Sequence, residues 1–227
     1  MTAPTPLRIH NQQCWLSAER CLYWEDAQTL VVSDLHFGKT GHFRKRGIAV
    51  PQEVYKEDLY RLMQQAQHFQ PKRIILTGDL FHSDENLEFD WFARWRESIP
   101  CGSIHLVAGN HDRLHIDRYT GLGLEYHATV LHEPPFLFIH DVDDETAGVP
   151  EGYRVGGHLH PGVRISGAGK QSLRFPCFWV TDAFTVLPAF SHFTGLHLVR
   201  ASRADRLFAV LPGNRQRGEN ATVLQIQ

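Results

Sequence analysis

Residues 29–36 have the sequence TLVVSDLH, which begins with apolar and β-branched residues and ends in two potential metal ligands. A short run of this kind predicts a buried β-strand. Runs of apolar and β-branched residues of similar length return at residues 73–78 and 103–109. Apolar residues at spacings of three and four predict an amphipathic helix over 51–70, and a second helix is predicted over 87–98. Alternating strands and helices are typical of a parallel sheet with crossover helices.

This βαβαβ pattern extends over residues 29–126, after which the sequence changes character. Short strands joined by turn-rich loops are predicted over 127–212, without a helical pattern of useful length, and this favours a mostly antiparallel sheet. Residues 213–227 are polar at their start and are predicted to form a loose tail. No repeat or low-complexity linker separates the halves, so residues 1–227 are interpreted as a single α/β domain in which two sheets form one sandwich.

The composition excludes several classes of protein. The chain has 23 basic and 25 acidic residues, a formal charge of −2, so a histone-like binder that depends on overall charge is excluded, while a local basic patch is not. A hydrophobic content of 42% allows a full core and excludes a disordered chain. No long apolar run or secretory signal is recognisable. Four scattered cysteines (Cys14, Cys21, Cys101 and Cys177) favour reduced thiols in a cytoplasmic protein.

Potential metal ligands follow five of the predicted strands. In α/β sheets, ligands gather outside the carboxyl ends of the strands. In two of the motifs, the paired side chains are two residues apart and so point to the same side of an extended chain. Glycine accompanies three of the motifs, where it allows the backbone to approach an ion closely. The candidate ligands are Asp34, His36, Asp79, Asn110, His140, His158 and His160.

The chemistry of these side chains limits the metals that they can bind. Carboxylate, imidazole and amide groups together suit Mn, Fe, Zn, Ni or Co better than Ca, which prefers oxygen alone. Seven ligands are too many for one tetrahedral ion, and they fit two ions that share a bridging carboxylate. Asp79, in the central motif, is the natural bridge.

In these motifs the sequence resembles the calcineurin-like metallophosphoesterases. The resemblance extends from about residue 29 to 161 and rests on Asp34-x-His36, Gly78-Asp79, Gly109-Asn110-His111-Asp112, His140 and Gly157-His158-x-His160. More narrowly, residues 34–39, 43–48 and 78–83 are similar to the bacterial DNA-ligase-associated branch. One departure is His82, where many relatives have an acidic residue or asparagine.

The resemblance implies a four-layer αββα fold, two metal ions and a role for each motif residue. It implies Mn²⁺ first, with Zn²⁺, Fe²⁺, Ni²⁺ or Co²⁺ as alternatives. It also implies a DNA-repair setting, with a functional link to an ATP-dependent DNA ligase and helicase. The implied ligands of the first ion are Asp34, His36, Asp79 and His160, and those of the second are Asp79, Asn110, His140 and His158. His111 is the implied catalytic histidine, with Asp112 as its orienting partner.

The expected reaction is hydrolysis of a phosphodiester. Two divalent ions about 3.5–4 Å apart can share a hydroxide that attacks phosphorus. His111 follows a ligand directly and is expected to act as general acid for the leaving oxygen, with Asp112 accepting a hydrogen bond from its ring.

Substrate binding is expected beside the first metal pair. Lys39, Arg44 and Arg46 follow that pair in a basic loop that would suit a polyanionic substrate such as a nucleic acid. His82, near the bridging aspartate, is a further candidate contact to substrate.

Three other functions compete with this interpretation. A phosphomonoesterase acting on a phosphoprotein or small metabolite would use the same metals. A non-catalytic metal-binding scaffold predicts eroded ligands, and none of the seven positions is eroded. A nucleotide-sugar or lipid pyrophosphatase would need an apolar helical lid, for which no inserted helix pair is seen.

Overall fold

The computed structural model describes residues 2–38, 53–81, 87–99, 101–144, 151–167, 171–214 and 220–227. The helices are α1 (Glu53–Phe69), α2 (Leu87–Ser98) and α3 (Ile116–Thr120). The strands are β1 (Thr5–Ile9), β2 (Gln12–Leu16), β3 (Leu22–Trp24), β4 (Thr29–Val32), β5 (Arg73–Thr77), β6 (Ser103–Val107), β7 (Leu124–His127), β8 (Val130–Glu133), β9 (Phe136–Ile139), β10 (Tyr153–Gly156), β11 (Pro161–Ser166), β12 (Ser172–Val180), β13 (Phe184–Val186), β14 (His197–Leu198), β15 (Arg206–Leu211) and β16 (Thr222–Gln225). None of the helices in these ranges is long and apolar enough to cross a membrane.

The first sheet contains β1 to β7 in chain order. Strands β4 to β7 are parallel, and α1 and α2 form the crossovers between β4, β5 and β6. This confirms the predicted βαβαβ unit. Strands β1 to β4 are antiparallel neighbours. The turn between β2 and β3 therefore emerges at the same edge of the sheet as the carboxyl end of β4.

The second sheet has the order β14-β11-β12-β13-β10-β9-β8, with β15 and β16 attached through β12. Its pairs are mostly antiparallel, as predicted, but β10 is parallel to both β9 and β13, and β11 is parallel to β14. Because β9 and β10 are parallel, their carboxyl ends lie at one edge. The two motifs that follow these strands are thereby brought together.

Apolar side chains fill the space between the two sheets and the space under the helices. Val31, Ile75 and Val107 of the first sheet share a buried cluster with Phe138 and Val155 of the second. On its other face the first sheet packs against the apolar faces of α1 and α2. Strands β4, β5 and β6 are thus covered on both faces, which is why their sequences are continuously apolar.

The structure confirms the α/β sandwich and corrects two details. The described helices pack against the first sheet, and in the described ranges no helix covers the outer face of the second sheet. There, Cys177 and Ala209 pack against Val199 and Ala201. A second helical layer is therefore absent from the described part of the chain.

The second correction concerns the predicted loose tail over 213–227. Its last part forms β16, which pairs with β15, and Val223 packs against the core between the sheets. Strand β15 offers a free edge of backbone donors and acceptors, and pairing satisfies them. That edge exists only after folding, so no local pattern in the sequence indicates it.

Candidate metal centre

All seven predicted ligands lie at the edge where β4, β5, β6, β9 and β10 end. Two separate groups of side chains there have ligand atoms within 4.8 Å of one another: Asp34, His36 and His160, and Asp79, His140 and His158. Asn110 adjoins the second group, because its Oδ1 lies 3.1 Å from Nε2 of His140.

The backbone at this edge has an uncommon conformation. Five of the seven residues have positive φ angles, namely Asp34 (55°), His36 (49°), Asp79 (53°), His158 (64°) and His160 (49°). Five further non-glycine residues in the described ranges have positive φ, all of them outside this site. The left-handed region is uncommon for residues other than glycine, although aspartate and histidine adopt it more readily than most. Half of these uncommon conformations are thus concentrated among the seven candidate ligands.

The first group presents one oxygen of a fully buried carboxylate. Oδ2 of Asp34 accepts hydrogen bonds from the Ser33 hydroxyl at 2.6 Å and from the amide of His158 at 3.1 Å. Oδ1 accepts no hydrogen bond among the described residues and lies 3.4 Å from Nε2 of His160. Nε2 of His36 is 3.2 Å from the same nitrogen. A buried carboxylate oxygen left in this way is costly unless a cation compensates it.

Asp34 is held in its ionised form. Burial alone would raise the pKa of its carboxyl group, but His160, His140 and the Ser33 hydroxyl together lower the pKa below its ordinary value. An ionised carboxylate is the form that binds a metal.

In the second group, ring nitrogens and carboxylate and amide oxygens lie close together. Nδ1 of His140 is 3.0 Å from the carbonyl oxygen of Thr77 and must donate its proton there, so Nε2 carries a lone pair. That lone pair faces Nδ1 of His158 at 3.1 Å and Oδ1 of Asp79 at 3.5 Å. The lone pair of His140 and the Asp79 carboxylate oxygen repel each other unless a cation or a proton lies between them.

Asp79 connects the two groups, as its central position in the sequence predicted. Its Oδ2 lies 3.7 Å from Nε2 of His36, and its Oδ1 lies 3.5 Å from Nε2 of His140. Oδ1 also accepts a hydrogen bond from the amide of His111 at 2.9 Å. One carboxylate therefore faces both groups.

The ring of His111 lies beside the first group without belonging to either group. Its centroid is 5.5 Å from that of His36, and the two rings are inclined at 70°. The side chain is half-buried. This position adjoins the metal groups, as expected for a residue that meets a bound ester.

Asp112 binds backbone amides. Oδ1 accepts from the amides of Leu80 and Phe81 at 3.0 and 3.2 Å, and Oδ2 accepts from that of Gly109 at 2.9 Å. Burial raises the pKa of Asp112 to about 6, the three amides oppose this shift and the charge of Asp79 adds to it. Asp112 thus ties together the loops that follow β5 and β6. Its predicted hydrogen bond to the His111 ring stays a prediction.

Two glycines are required by close packing at the site. A Cβ atom at Gly157 would overlap the Ser33 hydroxyl and the Asp34 carboxylate, and one at Gly78 would overlap the ring of His140. Gly78 also has a φ of 85°, which side chains rarely tolerate. This confirms the prediction that glycine allows close approach in these motifs.

The other predicted contacts to substrate lie outside the described residues. These are Lys39, Arg44, Arg46 and His82, so their expected role as a phosphate-facing patch stays a prediction.

Two features of the site were not recognised from the sequence. The first is the Asp141 carboxylate, which lies 3.6 Å from Nε2 of His158. The sequence indicated this contact only through the position of Asp141, directly after the candidate ligand His140. The second feature is the segment after β13, whose Ser191 amide donates to the Asp34 carbonyl at 3.2 Å. No local pattern indicates this contact.

The fold and the site together define a class of protein. A sandwich whose strand ends present two His-and-carboxylate groups around one shared aspartate has the ligands for two divalent cations, in the arrangement typical of hydrolases that use paired metals. The donor types fit such ions, and a cation would satisfy the Asp34 oxygen that accepts no hydrogen bond from the described residues.

Comparison with known proteins identifies the family. The sequence profile of the calcineurin-like phosphoesterases matches residues 27–178. Among solved structures, nuclease MPE from Pseudomonas putida is similar, with 26% identity, a TM-score of 0.76 and coverage of 91% of this chain and 96% of that one. The protein of unknown function AQ665 from Aquifex aeolicus has 15% identity and a TM-score of 0.40, over 58% of this chain and 78% of that one. No curated protein matches the sequence.

This chain belongs to the calcineurin-like phosphoesterase family. It is a metal-dependent phosphoesterase.

Proposed function

We propose that this protein hydrolyses phosphodiester bonds and that its substrate is DNA. The observation that carries the proposal is the position of Asp79 between two sets of metal-ligand atoms. The similarity to a protein described as a nuclease, over nearly the whole of both chains, supports a nucleic acid as substrate. The similarity of residues 34–39, 43–48 and 78–83 to the DNA-ligase-associated branch supports a DNA-repair setting in the cytoplasm, linked to an ATP-dependent ligase and a helicase.

The residues for two divalent cations are those of the two groups. Asp34, His36 and His160 would hold one, Asn110, His140 and His158 the other, and Asp79 both. Such cations supply Lewis-acid polarisation of the phosphate and a nucleophile from water at neutral pH. Mn²⁺ is the ion we propose, although the donor set also suits Zn²⁺, Fe²⁺, Ni²⁺ and Co²⁺.

The remaining residues of the site position the ligands and move protons. Ser33 and the His158 amide hold one oxygen of Asp34, so that the other faces inward. The Thr77 carbonyl fixes the tautomer of His140. His111, whose ring stands beside His36, donates a proton to the leaving oxygen as the phosphorus–oxygen bond breaks.

The test is hydrolysis by protein stripped of metal and then refilled with Mn²⁺, Zn²⁺, Ni²⁺ or Mg²⁺. Bis(p-nitrophenyl) phosphate presents a diester and p-nitrophenyl phosphate a monoester, and both are compared with single- and double-stranded DNA. We expect Mn²⁺ to restore diester hydrolysis and DNA cleavage, and Asp79→Asn to abolish both. A preference for the monoester would instead favour a phosphomonoesterase, and diester hydrolysis without DNA cleavage would contradict the nuclease assignment.

A further inference from the structure

A cavity of about 490 Å³ opens at the edge of the sandwich that carries the metal groups. The turn between β2 and β3 supplies one wall, and that turn lies at the same edge as the end of β4. Strand β12 and the end of β15 supply a second wall, and the segment 192–196 supplies a third. None of the predicted metal ligands lines this cavity, so it is distinct from the metal groups.

The cavity is nevertheless close to the first metal group. The amide of Ser191 donates to the carbonyl of Asp34 at 3.2 Å, and the next residue, His192, lines the cavity. With one residue of chain between them, the wall begins roughly 7 Å from the backbone of a metal ligand. A substrate bound at the metals can therefore reach the cavity with the adjoining part of its chain.

Arg20 brings a positive charge to this cavity without a direct ionic partner. Its guanidinium donates to two neutral acceptors, the carbonyl oxygens of Ala189 and Ser191, at 3.2 and 3.0 Å. The neighbouring carboxylates of Glu19 and Asp58 are bound by Arg61, at 2.6 and 2.7 Å. Within the part of the chain that the structure describes, no carboxylate forms an ion pair with Arg20.

Arg174, on β12, is a second cation in the wall. It stands directly opposite Arg164 in the antiparallel pair of β11 and β12. Like charges in directly opposite positions are destabilising, and neither arginine forms an ion pair with a carboxylate in the described ranges. An anion held at this wall would relieve that repulsion.

One acidic residue, Glu19, also lines the cavity, and Arg61 binds its carboxylate at 2.6 Å. The remaining groups complete the site. Partial burial and the positive charges of Arg61 and Arg20 lower the pKa of His192, so this ring is neutral near pH 7. Phe175, Pro176 and Leu196 form an apolar surface beside the arginines. Binding sites for small ligands combine an apolar wall with a few convergent polar groups in a space of this size.

We propose that this cavity binds one nucleotide of the substrate strand, beside the phosphate that is cleaved at the metals. Its phosphate pairs with Arg20 and Arg174, and its base or sugar packs on Phe175 and Leu196. This inference rests on the proposed function, because it concerns the same substrate. It adds a binding site that lies apart from the metal centre.

The test compares two variants that remove the same charge. Arg174→Gln changes an exposed strand residue of the cavity wall, and Arg203→Gln changes an exposed arginine that does not line the cavity. Each Mn²⁺-loaded protein is assayed with a 12-residue single-stranded oligothymidylate and with bis(p-nitrophenyl) phosphate, whose single phosphate cannot bind at the metals and at the cavity arginines together. The readout is the ratio of the two kcat/KM values.

For Arg174→Gln we expect the ratio to fall about tenfold, because one charge-assisted contact to phosphate is lost. The slope of log kcat/KM for the oligonucleotide against log salt concentration should weaken by about 0.7. Arg203→Gln should keep the wild-type ratio. An unchanged ratio in Arg174→Gln, or an equal fall in Arg203→Gln, would overturn the inference.

A binding measurement separates this inference from the proposed function. If the wild-type protein hydrolyses the small diester but neither cleaves nor binds the oligonucleotide, the cavity proposal fails and phosphodiester hydrolysis stands. If the wild-type protein hydrolyses neither substrate, the proposed function fails. The affinity of the metal-free proteins for the oligothymidylate then decides about the cavity. A tenfold loss of affinity in Arg174→Gln, with none in Arg203→Gln, supports the inference, and equal affinities of the wild type and both variants overturn it.

Discussion

The carboxylate of Asp141 lies 3.6 Å from Nε2 of His158. Nδ1 of the same ring is 3.1 Å from Nε2 of His140. A carboxylate in this position fixes the orientation of a ligand histidine and increases its basicity. Asp141 therefore supports the second metal group from outside it.

Replacing Asp141 with asparagine should weaken the binding of one Mn²⁺ ion about tenfold or more, since outer partners of ligand histidines typically contribute this much to affinity. Titration of metal-free protein with Mn²⁺, followed by electron paramagnetic resonance, measures the change. Asp143→Asn is the matched control, because Asp143 is exposed and touches the site only through its backbone amide. Equal affinities in the two variants would remove Asp141 from the metal centre.

His111→Ala should leave two Mn²⁺ ions bound and reduce kcat for DNA by about 10²–10⁴-fold, the usual contribution of a general acid. The reduction should be smaller for bis(p-nitrophenyl) phosphate, because p-nitrophenolate leaves without needing a proton. His115→Asn is the control: His115 is exposed and caps α3, and asparagine also caps helices well. Equal losses with both substrates would argue against proton donation by His111.

Asp112→Ala should lower the free energy of unfolding of the metal-free protein by about 3 kcal/mol, because the amides of Leu80, Phe81 and Gly109 lose a charged acceptor. Asp112→Asn keeps one acceptor oxygen and should lose less. Urea denaturation of the three proteins measures the effect. A wild-type stability in Asp112→Ala would mean that Asp112 does not hold the two loops together.

A pair of histidines away from the site makes stability depend on pH. Nδ1 of His105 is 3.0 Å from Nε2 of His127. Burial lowers the pKa of both below the ordinary value of 6.5, although Glu125 opposes the shift. The unfolded chain then binds more protons, so this contribution to stability is complete above pH 6.5 and is lost as the pH falls towards the folded pKa values.

His105→Gln should therefore show a smaller decrease in unfolding free energy between pH 7.5 and 5 than the wild-type protein does. His132→Gln, which removes an exposed histidine from β8, should follow the wild-type curve. Denaturation of metal-free samples at both pH values gives the comparison, because metal loss at low pH would otherwise contribute. Parallel curves for His105→Gln and the wild type would disprove the role of the pair.

Local patterns in the sequence were sufficient to predict the first half of the fold and the convergence of the candidate ligands at one edge. Strand β4 and helix α1 are determined by the residues within each element. The periodicity of their apolar residues therefore predicts them. The ligands follow strands, and the carboxyl ends of parallel strands share an edge, so their convergence was also predictable. Glycines directly before three of the candidate ligands strengthened this prediction, because they are visible in the sequence itself.

Features that depend on distant contacts were not predictable. The amide of Phe190 donates to the Ser33 carbonyl, and Arg61 donates to the Phe190 carbonyl, across long stretches of sequence. Strand β16 forms only because β15 leaves an edge for it. The positive φ angles of five candidate ligands were not predicted either, because this region is uncommon for any single residue other than glycine.

The most direct measurement is the anomalous scattering of crystals grown with Mn²⁺, recorded at the manganese absorption edge. We expect two peaks about 3.5–4 Å apart, one on each side of the Asp79 carboxylate, with His36 and His160 at the first and His140 and His158 at the second. A single peak, or none at this edge of the sheets, would contradict a dinuclear phosphoesterase.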